Sequence, residues 1–448
     1  MNYLVPDLIR KKRLGESLTT DEIHFLVSGF SDGSIPDYQA SAWLMACFVK
    51  PLNQNETLEL TRAMKNSGEV YDWSKNLNLP LPPVIADKHS TGGVGDKVSL
   101  ILAPLAAACG LMVPMMSGRG LGFTGGTVDK LESIPGFRMD LKIDEAKAAL
   151  EQAGFCMIKQ SPRICPADGK LYSLRDVTAT VENVELISAS IVSKKWASGV
   201  KNIVYDVKCG ESAFMQTLVE ARKLAKSLVA NSKAAGMSAR AVISRMVEPL
   251  GSCVGNGLEV EESKWILSES FPSLIHKKIA EPLVNLSIDL TAHMLELSGV
   301  HKNFHEAQRM AREKLNSGQA LERFEKMMKL QAGSAKAYVD LPKAKKQIEL
   351  KSLQKGFVQK ICGRSLGLLG IEIGIGRQKA EDAVFFEPGF EILCQVGDAV
   401  EAGQRLGVYH ARNDKNETEV LEKFLAAFEF STTQKEIQGS NLILEVVD

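Results

Sequence analysis

The segment at residues 87–97, DKHSTGGVGDK, contains the residue types of an anion-binding loop. Its three glycines allow the backbone to approach a ligand closely, and a helix that begins where the segment ends directs unpaired N–H groups at an anion. Lys88 adds a positive charge, and Ser90 and Ser99 add hydroxyl donors. The glycine spacing differs from that of a Walker loop. The segment therefore predicts a phosphate site, and a tight glycine turn with a surface lysine is the alternative.

A second glycine-rich segment, SGRGLGFTGGT at residues 117–127, follows soon after the first. It contains the pattern GxGxxG, but no acidic residue ends a following strand about 20 residues further on, as a dinucleotide site requires. With Ser117 and Thr127 at its ends, the segment suits a second wall of the same anion site. A flexible surface loop is the alternative, disfavoured because two such segments occur in one part of the chain.

Four further side chains are candidates for acid–base chemistry and for binding a second, ring-shaped substrate. His89 lies inside the first glycine segment and is the candidate acid or base, because histidine titrates near neutral pH. Ser190 and Lys194 are four residues apart and share one helix face. Together with Arg175 they offer hydrogen-bond partners for the carbonyl and N–H groups of a planar polar ring. A solvated surface is the alternative interpretation of these last three residues.

The composition excludes several other classes of protein. The chain has 448 residues, enough for about three domains, and its 45% hydrophobic and 24% charged residues are typical of globular proteins. Lys plus Arg and Asp plus Glu number 54 each, so no net charge attracts nucleic acid or an anionic membrane. The eight cysteines are scattered without a CxxC motif, which disfavours disulfides and structural zinc and indicates a reducing cytoplasm. The N-terminus lacks the features of a signal peptide.

The elements that must hold these segments change along the chain. Residues 1–70 have the apolar spacing of helices in series, and from residue 84 the pattern becomes strand, glycine loop and helix, repeated. That repeat indicates an α/β domain with its loops at strand ends. The remaining stretches are a proline-rich connector at 76–84, a buried helix and strand at 98–118, helix again at 173–200, mostly long helices at 215–345, and strand-like alternation after 346.

Five stretches of the sequence resemble, in order, the thymidine and pyrimidine-nucleoside phosphorylases, glycosyltransferases of the nucleoside phosphorylase II type. They are KHSTGGVGDK, SGRGLGFTGGTVDKLESIPGF, RDVTATV, SKK and DVKCGESAFM. The resemblance covers essentially the full chain, and the second stretch is highly specific. It implies an α+β multi-domain fold with a small all-α domain, a large α/β domain with a mixed or parallel sheet, and a C-terminal α+β portion.

The resemblance also implies how the chain divides. Residues 1–70 with 161–197 would form the small domain on the pyrimidine side, and residues 84–160 with 198–345 the α/β domain on the phosphate side. Residues 346–448 would form the β-rich C-terminal portion. Members of this family are homodimers that close the cleft between the domains, and a cytoplasmic homodimer is therefore expected here.

Single residues acquire roles by the same resemblance. The residues expected to hold phosphate are Lys88, Ser90, Ser99, Ser117 and Thr127, and those expected to hold the pyrimidine are Arg175, Ser190, Lys194 and Met115. His89 resembles the residue that protonates or hydrogen-bonds O2 of the base as the glycosidic bond breaks. Inorganic phosphate is the co-substrate, and no metal is expected to take part.

Two positions depart from the family pattern. Phe123 stands where the family usually has the His of GHTGGT, so a polar contact is lost. Lys97 stands where potassium-dependent relatives have a hydroxyl residue, and the segment facing their ion matches Leu250, Cys253 and Glu262. The Lys97 ammonium is therefore expected to fill the potassium site, with Glu262 within about 4 Å. A solvent-facing Lys97 is the alternative.

The leading hypothesis for the activity is reversible phosphorolysis of thymidine to thymine and 2-deoxy-α-D-ribose 1-phosphate by a pentosyltransferase. Met115 favours thymidine, because relatives that accept ribosides tend to carry Lys there. The first alternative is a broad-specificity enzyme that also uses uridine. An anthranilate-type phosphoribosyltransferase is less favoured, because it needs acidic residues for magnesium and pyrophosphate. A non-catalytic, growth-factor-like protein would not need Lys88, His89, Arg175 and Lys194 together. Neither nucleic acid nor membrane is expected as a partner.

Overall fold

The computed structural model describes residues 3–77, 79, 82–120, 122–379, 382–412, 417–434 and 441–448. Its helices are α1 (Val5–Arg13), α2 (Thr20–Asp32), α3 (Asp37–Val49), α4 (Gln54–Asn66), α5 (Trp73–Asn76), α6 (Val98–Ala108), α7 (Thr127–Glu132), α8 (Ile143–Ala153), α9 (Pro166–Val177), α10 (Val184–Ala197), α11 (Leu218–Ala234), α12 (Asn256–Leu267), α13 (Leu274–Leu297), α14 (Phe304–Asn316), α15 (Gln319–Ala332), α16 (Gly363–Glu372) and α17 (Glu417–Ala426). Its strands are β1 (Ala86–Ser90), β2 (Val113–Ser117), β3 (Phe155–Lys159), β4 (Asn202–Cys209), β5 (Ser238–Arg245), β6 (Cys253–Val254), β7 (Lys346–Lys351), β8 (Gly356–Ile361), β9 (Gly389–Ile392), β10 (Ala399–Val400), β11 (Arg405–Ala411), β12 (Phe428–Ser431) and β13 (Ile443–Val447).

Helices α1–α4 form a bundle, as the helical spacing of the N-terminal residues predicts. The start of α2 is set by a reciprocal cap, in which the Thr19 hydroxyl accepts from Glu22 N at 3.3 Å and the Glu22 carboxylate accepts from Thr19 N at 2.7 Å. Such a pair satisfies two N–H groups that the helix itself leaves unpaired. Residues 78, 80 and 81 of the predicted connector lie outside the described residues.

Helices α9 and α10 return to this bundle from the middle of the chain. Ala167 and Leu171 on α9, and Leu186 and Ala189 on α10, share one buried core with the N-terminal helices. The sequence predicted a single helical stretch at 173–200, whereas the structure has two helices separated by a turn. The small domain is therefore built from two distant parts of the chain.

Among the described residues, six strands form the central sheet, in the order β3–β2–β1–β4–β5–β13. β1, β4 and β5 pair in parallel, β2 and β3 pair in parallel, and β13 is antiparallel to β5. Bonds from Ala86 N to Met112 O (3.0 Å) and from Met112 N to Val84 O (2.9 Å) join the two parallel groups. The sheet is therefore mixed, and the carboxyl ends of β1 and β2 lie at one edge, where ligands of open α/β sheets bind.

The sequence analysis did not predict β3 or β5, and it assigned β13 to the C-terminal portion rather than to this sheet. β5 has 8 residues and lies inside the stretch predicted as mostly long helices, and β13 comes from the chain end assigned to the C-terminal portion. A short buried strand between two helices carries no clear alternation, because both of its faces are covered. Its place is recognisable only once its neighbours in the sheet are known.

The predicted buried helix and strand at 98–118 are present as α6 and β2. Residues 98 and 100–107 of α6 are buried, because α13 and α15 cover the helix. A helix that is apolar all round belongs in a core of this kind. Among the helices that the structure describes, none has both the length and the apolar character required to cross a bilayer.

The C-terminal portion contains two small sheets, ordered β10–β8–β12 and β6–β9–β11–β7. β6 belongs by sequence to the α/β domain, so its antiparallel pairing with β9 attaches the portion to that domain. Phe390, Tyr409 and Phe424 pack together in its core, with ring centroids 5.4 and 5.6 Å from Phe390. The small α domain, the α/β domain with a mixed sheet and the C-terminal α+β portion confirm the expected fold class.

Candidate functional site

The site is organised by strand β1, whose alternating side chains face opposite ways. Asp87 and His89 face helix α10, where Asp87 meets Lys195. Lys88 and Ser90 face the first glycine loop, where Ser90 donates to Asp96 Oδ2 at 2.5 Å. One strand therefore presents the candidate acid or base to the helical domain and the candidate phosphate ligands to the loop.

Lys88 is buried at the base of the first loop. Its ammonium lies 3.4 Å from Ser99 Oγ, on the first turn of α6, and 3.7 Å from Asp206 Oδ2 on the neighbouring strand β4. Burial lowers the pKa of Lys88, and the carboxylates of Asp96 and Asp206 oppose that effect. The loop thus holds a desolvated positive charge beside the Ser99 hydroxyl, an arrangement suited to an oxyanion.

Two residues of β4 complete a buried charge network around Lys88. Lys208 lies 2.7 Å from Asp206 Oδ2, and both side chains are fully buried. Burial opposes ionisation of Asp96, but Lys208 and Lys88 hold its pKa well below the usual range. Sequence reasoning missed Asp96, Asp206 and Lys208, although Asp96 lies in the first loop. The spacing of Asp206 and Lys208, two apart on a strand, was the available signal.

The second glycine loop is tied closely to the first. Lys130, fully buried on α7, donates to the carbonyl oxygen of Asp96 at 2.9 Å and to that of Gly125 at 3.1 Å. The backbone of the second loop packs so closely on itself that a side chain does not fit at Gly126. A Cβ there would lie 2.0 Å from the backbone nitrogen of Gly120. Ser117 ends β2 at this loop, and Thr127 begins α7. The predicted two walls therefore lie side by side.

His89 lies between the two halves of the site. Its ring packs edge-on against Tyr205, with centroids 6.5 Å apart. Burial lowers the pKa of His89 well below its usual value, and the positive charges of Lys195, Lys194 and Lys88 lower it further. The imidazole is therefore neutral near pH 7 in the unliganded protein, a form that has one N–H group to donate.

Ser190 and Lys194 come together as their spacing predicts. Lys194 Nζ donates to Ser190 Oγ at 2.8 Å and to Asp168 Oδ2 at 2.6 Å, so its hydrogen bonds stay within the helical domain. Asp168 on α9 was missed by sequence reasoning, since only packing brings α9 against α10. Together these three side chains offer charged and neutral hydrogen-bonding groups to a polar ring.

Arg175 forms hydrogen bonds to the backbone where α9 connects to α10. Its guanidinium donates to the carbonyl oxygens of Thr180 (3.1 Å), Val181 (2.6 Å) and Leu186 (3.2 Å). Burial lowers the pKa of Arg175, with the charge of Asp168 opposing the shift. Three of the five N–H groups of a guanidinium are thus used to hold this connection.

Two positions expected to tune specificity lie in packed surroundings. Met115 is 1% exposed and belongs to the main hydrophobic core, opposite Met157 on β3. Phe123 packs against Phe214 with centroids 5.7 Å apart, and the Arg364 guanidinium lies 5.2 Å above its ring. The structure therefore brings Met115 into the core below the loop, and joins Phe123 to helix α16 of the C-terminal portion.

Lys97 points inward, so the solvent-facing alternative is wrong. Its ammonium donates to the carbonyl oxygens of Leu250 (2.7 Å) and Cys253 (3.0 Å) and to Glu262 Oε2 at 2.6 Å. The contact expected with Glu262 is confirmed. Within the described part of the chain, no group of three or more His, Cys, Asp or Glu side chains is arranged to hold a metal ion.

Three family descriptions match the chain, one to each part of the fold. The glycosyl transferase family helical bundle domain matches residues 6–68, and the a/b domain of that family matches residues 82–321. The pyrimidine nucleoside phosphorylase C-terminal domain matches residues 357–431.

Curated relatives are similar along almost the whole chain. A pyrimidine-nucleoside phosphorylase from Staphylococcus haemolyticus is 42% identical over 421 residues, covering 93% of this chain and 94% of the relative. One from Geobacillus stearothermophilus is 40% identical over 444 residues, covering 98% and 99%. A thymidine phosphorylase from Burkholderia cenocepacia is 40% identical over 418 residues, covering 92% and 93%.

A solved structure shares the fold at much lower identity. Anthranilate phosphoribosyltransferase from Thermus thermophilus aligns with a TM-score of 0.56 at 18% identity, covering 72% of this chain and 99% of that one. This likeness concerns the fold alone.

Proposed function

The chain belongs to the glycosyl transferase family that includes the pyrimidine-nucleoside and thymidine phosphorylases, and we propose that it catalyses the reversible phosphorolysis of thymidine to thymine and 2-deoxy-α-D-ribose 1-phosphate. The observation that carries the proposal is the position of His89. It stands between a buried lysine with two glycine loops on one side and the Ser190–Lys194 pair on the other.

In the proposed reaction, phosphate is held by Lys88, Ser90, Ser99, Ser117 and Thr127. A phosphate oxygen attacks C1 of the sugar while the bond from C1 to the base nitrogen breaks. The electron pair of that bond goes to the base, and the proton of hydrogen phosphate balances the charge on it. Phosphate is already an anionic nucleophile, so this side of the site contributes placement.

The base is assigned to Arg175, Ser190 and Lys194, with His89 donating to O2. Negative charge develops on the pyrimidine as it leaves, and cationic donors beside it stabilise the transition state where water is excluded. The neutral His89 of the unliganded protein suits a hydrogen-bond donor. Arrival of a phosphate dianion favours the protonated ring, because an opposite charge nearby raises a histidine pKa.

Use of uridine as well as thymidine remains the alternative within this activity. The buried position of Met115 gives it no direct contact to offer a substrate, so the thymidine preference rests on the resemblance alone. The phosphoribosyltransferase alternative has support from the fold but not from relatives at 40% identity or more.

No metal cofactor is part of the proposal. Lys97, with its ammonium bonded to two carbonyl oxygens and Glu262, is proposed to stand in for the potassium ion of some relatives. A buried ammonium with three oxygen partners supplies the positive charge of a monovalent cation, and it donates hydrogen bonds to oxygens of the kind that would coordinate that cation.

A cytoplasmic homodimer is proposed as the working form. The side chains of Tyr38, Met45 and Val49 are seven and four residues apart, so they share one face of α3, and all are exposed. Exposed Leu4 and Leu14 flank α1 beside it. Exposed apolar side chains on two adjacent helices suit a protein interface. The eight free cysteines suit a reducing compartment. Met45→Glu should convert a dimer to monomers in size-exclusion chromatography with light scattering, and a monomeric wild type would contradict the proposal.

The activity is tested with thymidine and uridine in parallel, each with and without phosphate, by chromatographic detection of the free base. We expect thymine to be released only when phosphate is present. The Lys88→Ala variant, which should use phosphate poorly, is the negative control. EDTA should leave the rate unchanged. Loss of activity in EDTA with recovery on addition of magnesium, or cleavage without phosphate, would overturn the proposal.

A further inference from the structure

We propose that Lys195, next to the base-binding Lys194, is a positioning residue. It fixes the base-binding side of the site on α10 relative to the phosphate-binding side on β1 and β2. The inference rests on the proposed function, since it assigns Lys195 a part in the same reaction. It concerns the end of α10, the helix that leads from the small domain into the central sheet.

The Lys195 ammonium joins three segments at one buried point. It donates to Asp87 Oδ2 at 2.6 Å on β1 and to the carbonyl oxygen of Met116 at 2.8 Å on β2. The side chains of Lys195 and Asp87 are 3% and 0% exposed. One side chain of the helical domain is thus bonded to both neighbouring strands of the phosphate side.

Each of the three bonded residues is adjacent in sequence to a proposed substrate ligand. Lys195 follows Lys194, Asp87 precedes Lys88, and Met116 precedes Ser117. The link at Asp87 is tightened further, because its other carboxylate oxygen accepts from Lys88 N at 2.7 Å. Consecutive Cα atoms are about 3.8 Å apart, so a shift at any of these residues moves its neighbour nearly as far.

The end of α10 is fixed by further contacts next to Lys195. The Ser198 hydroxyl donates to the carbonyl oxygen of Lys195 at 2.9 Å, and the Trp73 indole donates to that of Ser198 at 2.7 Å. Separating a buried ion pair leaves each charge without its partner in a medium that solvates it poorly, so we expect this contact to persist if the small domain moves.

A merely structural ion pair makes a different prediction, and the chain provides a matched control. Lys12 lies 2.9 Å from Glu56, with side chains 3% and 2% exposed, entirely within the helical bundle. Lys12→Met and Lys195→Met therefore remove equivalent buried charges. Only the second removes a link between the two substrate sides.

The experiment measures melting temperature, phosphate affinity by calorimetry, and kcat and KM for thymidine in wild type, Lys195→Met and Lys12→Met. Lys195→Met should lower kcat by roughly 100-fold, the effect of a displacement of about 1 Å in reacting groups. Phosphate affinity should stay within about threefold, because β1 and β2 are also joined by backbone bonds. Lys12→Met should lower the melting temperature and leave kcat, KM and phosphate affinity unchanged. Equal kcat in the two variants at similar melting temperatures would overturn the inference.

A double-mutant cycle guards against failure to fold. Lys195→Met with Asp87→Asn removes both charges and leaves neither one buried alone. If the two residues act through their mutual contact, the pair should lose no more kcat than Lys195→Met by itself, since coupled residues are not additive. Multiplicative losses would overturn the inference.

Hydrogen exchange separates this inference from the proposed function. Without any substrate, Lys195→Met should speed amide exchange in residues 86–90 and 113–117, and Lys12→Met should not. A wild type that cleaves no nucleoside would overturn the proposed function while this measurement still decides whether Lys195 couples the strands. Unchanged exchange in both strands would overturn the coupling whatever the activity.

Discussion

The ammonium of Lys97 lies 2.6 Å from the Glu262 carboxylate, and both side chains are completely buried. Glu262 also accepts from Ser252 N at 2.7 Å and from Cys253 N at 2.9 Å. Burial opposes the charge on Lys97, but Glu262 and Glu259 raise its pKa above the usual value. The Lys97 ammonium therefore keeps its charge, and its contact with Glu262 tethers the first glycine loop to α12.

Replacement of Lys97 by alanine should destabilise the protein by about 3–5 kcal/mol, because Glu262 is left buried without its partner. Urea unfolding of the variant measures the loss. The stabilisation by a lysine whose pKa is raised on folding is complete below its unfolded pKa and disappears as pH rises through the folded one. Wild type should therefore keep this contribution at least to about pH 10.

Potassium should restore part of the stability of Lys97→Ala if the vacated space accepts a monovalent cation. The melting temperature is compared in potassium chloride and tetramethylammonium chloride at equal ionic strength, with wild type as the control. Identical melting temperatures of the variant in both salts would contradict the proposed equivalence of ammonium and potassium.

Lys88→Ala should raise KM for phosphate and lower kcat, while KM for the nucleoside changes little. An ammonium hydrogen-bonded to an anion contributes roughly 1.5–3 kcal/mol, equivalent to a tenfold or greater loss. Initial rates at varied phosphate measure the effect. Lys75→Ala, at an exposed lysine paired with Asp72, is the control. An unchanged phosphate dependence would remove Lys88 from the site.

Lys194→Ala should weaken nucleoside use and leave phosphate KM unchanged, because its bonds lie within the helical domain. Arg175→Ala should do the same and also lower the melting temperature, since two carbonyl oxygens of the turn and one of α10 lose their donor. Kinetics with each substrate varied in turn, together with thermal unfolding, measure both effects. Weaker phosphate binding alone in either variant would contradict the assignment to the base.

His89→Gln should remove part of the acid sensitivity of folding. The pKa of His89 in the folded protein lies below its unfolded value of 6.5, because of burial and three nearby lysines. Its contribution is therefore intact above pH 6.5 and is lost as pH falls below it, by up to about 1.4 kcal/mol per pH unit. Urea unfolding at pH 7.5 and pH 5.5 measures the slope. Equal slopes for variant and wild type would show that His89 is not held neutral.

Local features of the site were determined by the sequence itself. Glycine spacing and hydroxyl residues identified both loops, and the four-residue interval between Ser190 and Lys194 placed them on one helix face. Such inferences succeed because the periods of helices and strands convert short intervals in sequence into distances in space. The Lys97–Glu262 contact was anticipated only through the resemblance to a family, since no local period relates those positions.

Tertiary structure alone decided the partners of the buried charges. Asp168 against Lys194, Asp206 beside Lys88, and Lys195 between Asp87 and Met116 depend on which helix packs on which strand. It also placed Met115 in the core and used Arg175 to hold a turn. Residues far apart in sequence meet because folding of the whole chain favours one packing arrangement. That preference depends on many contacts together, and no short motif contains them.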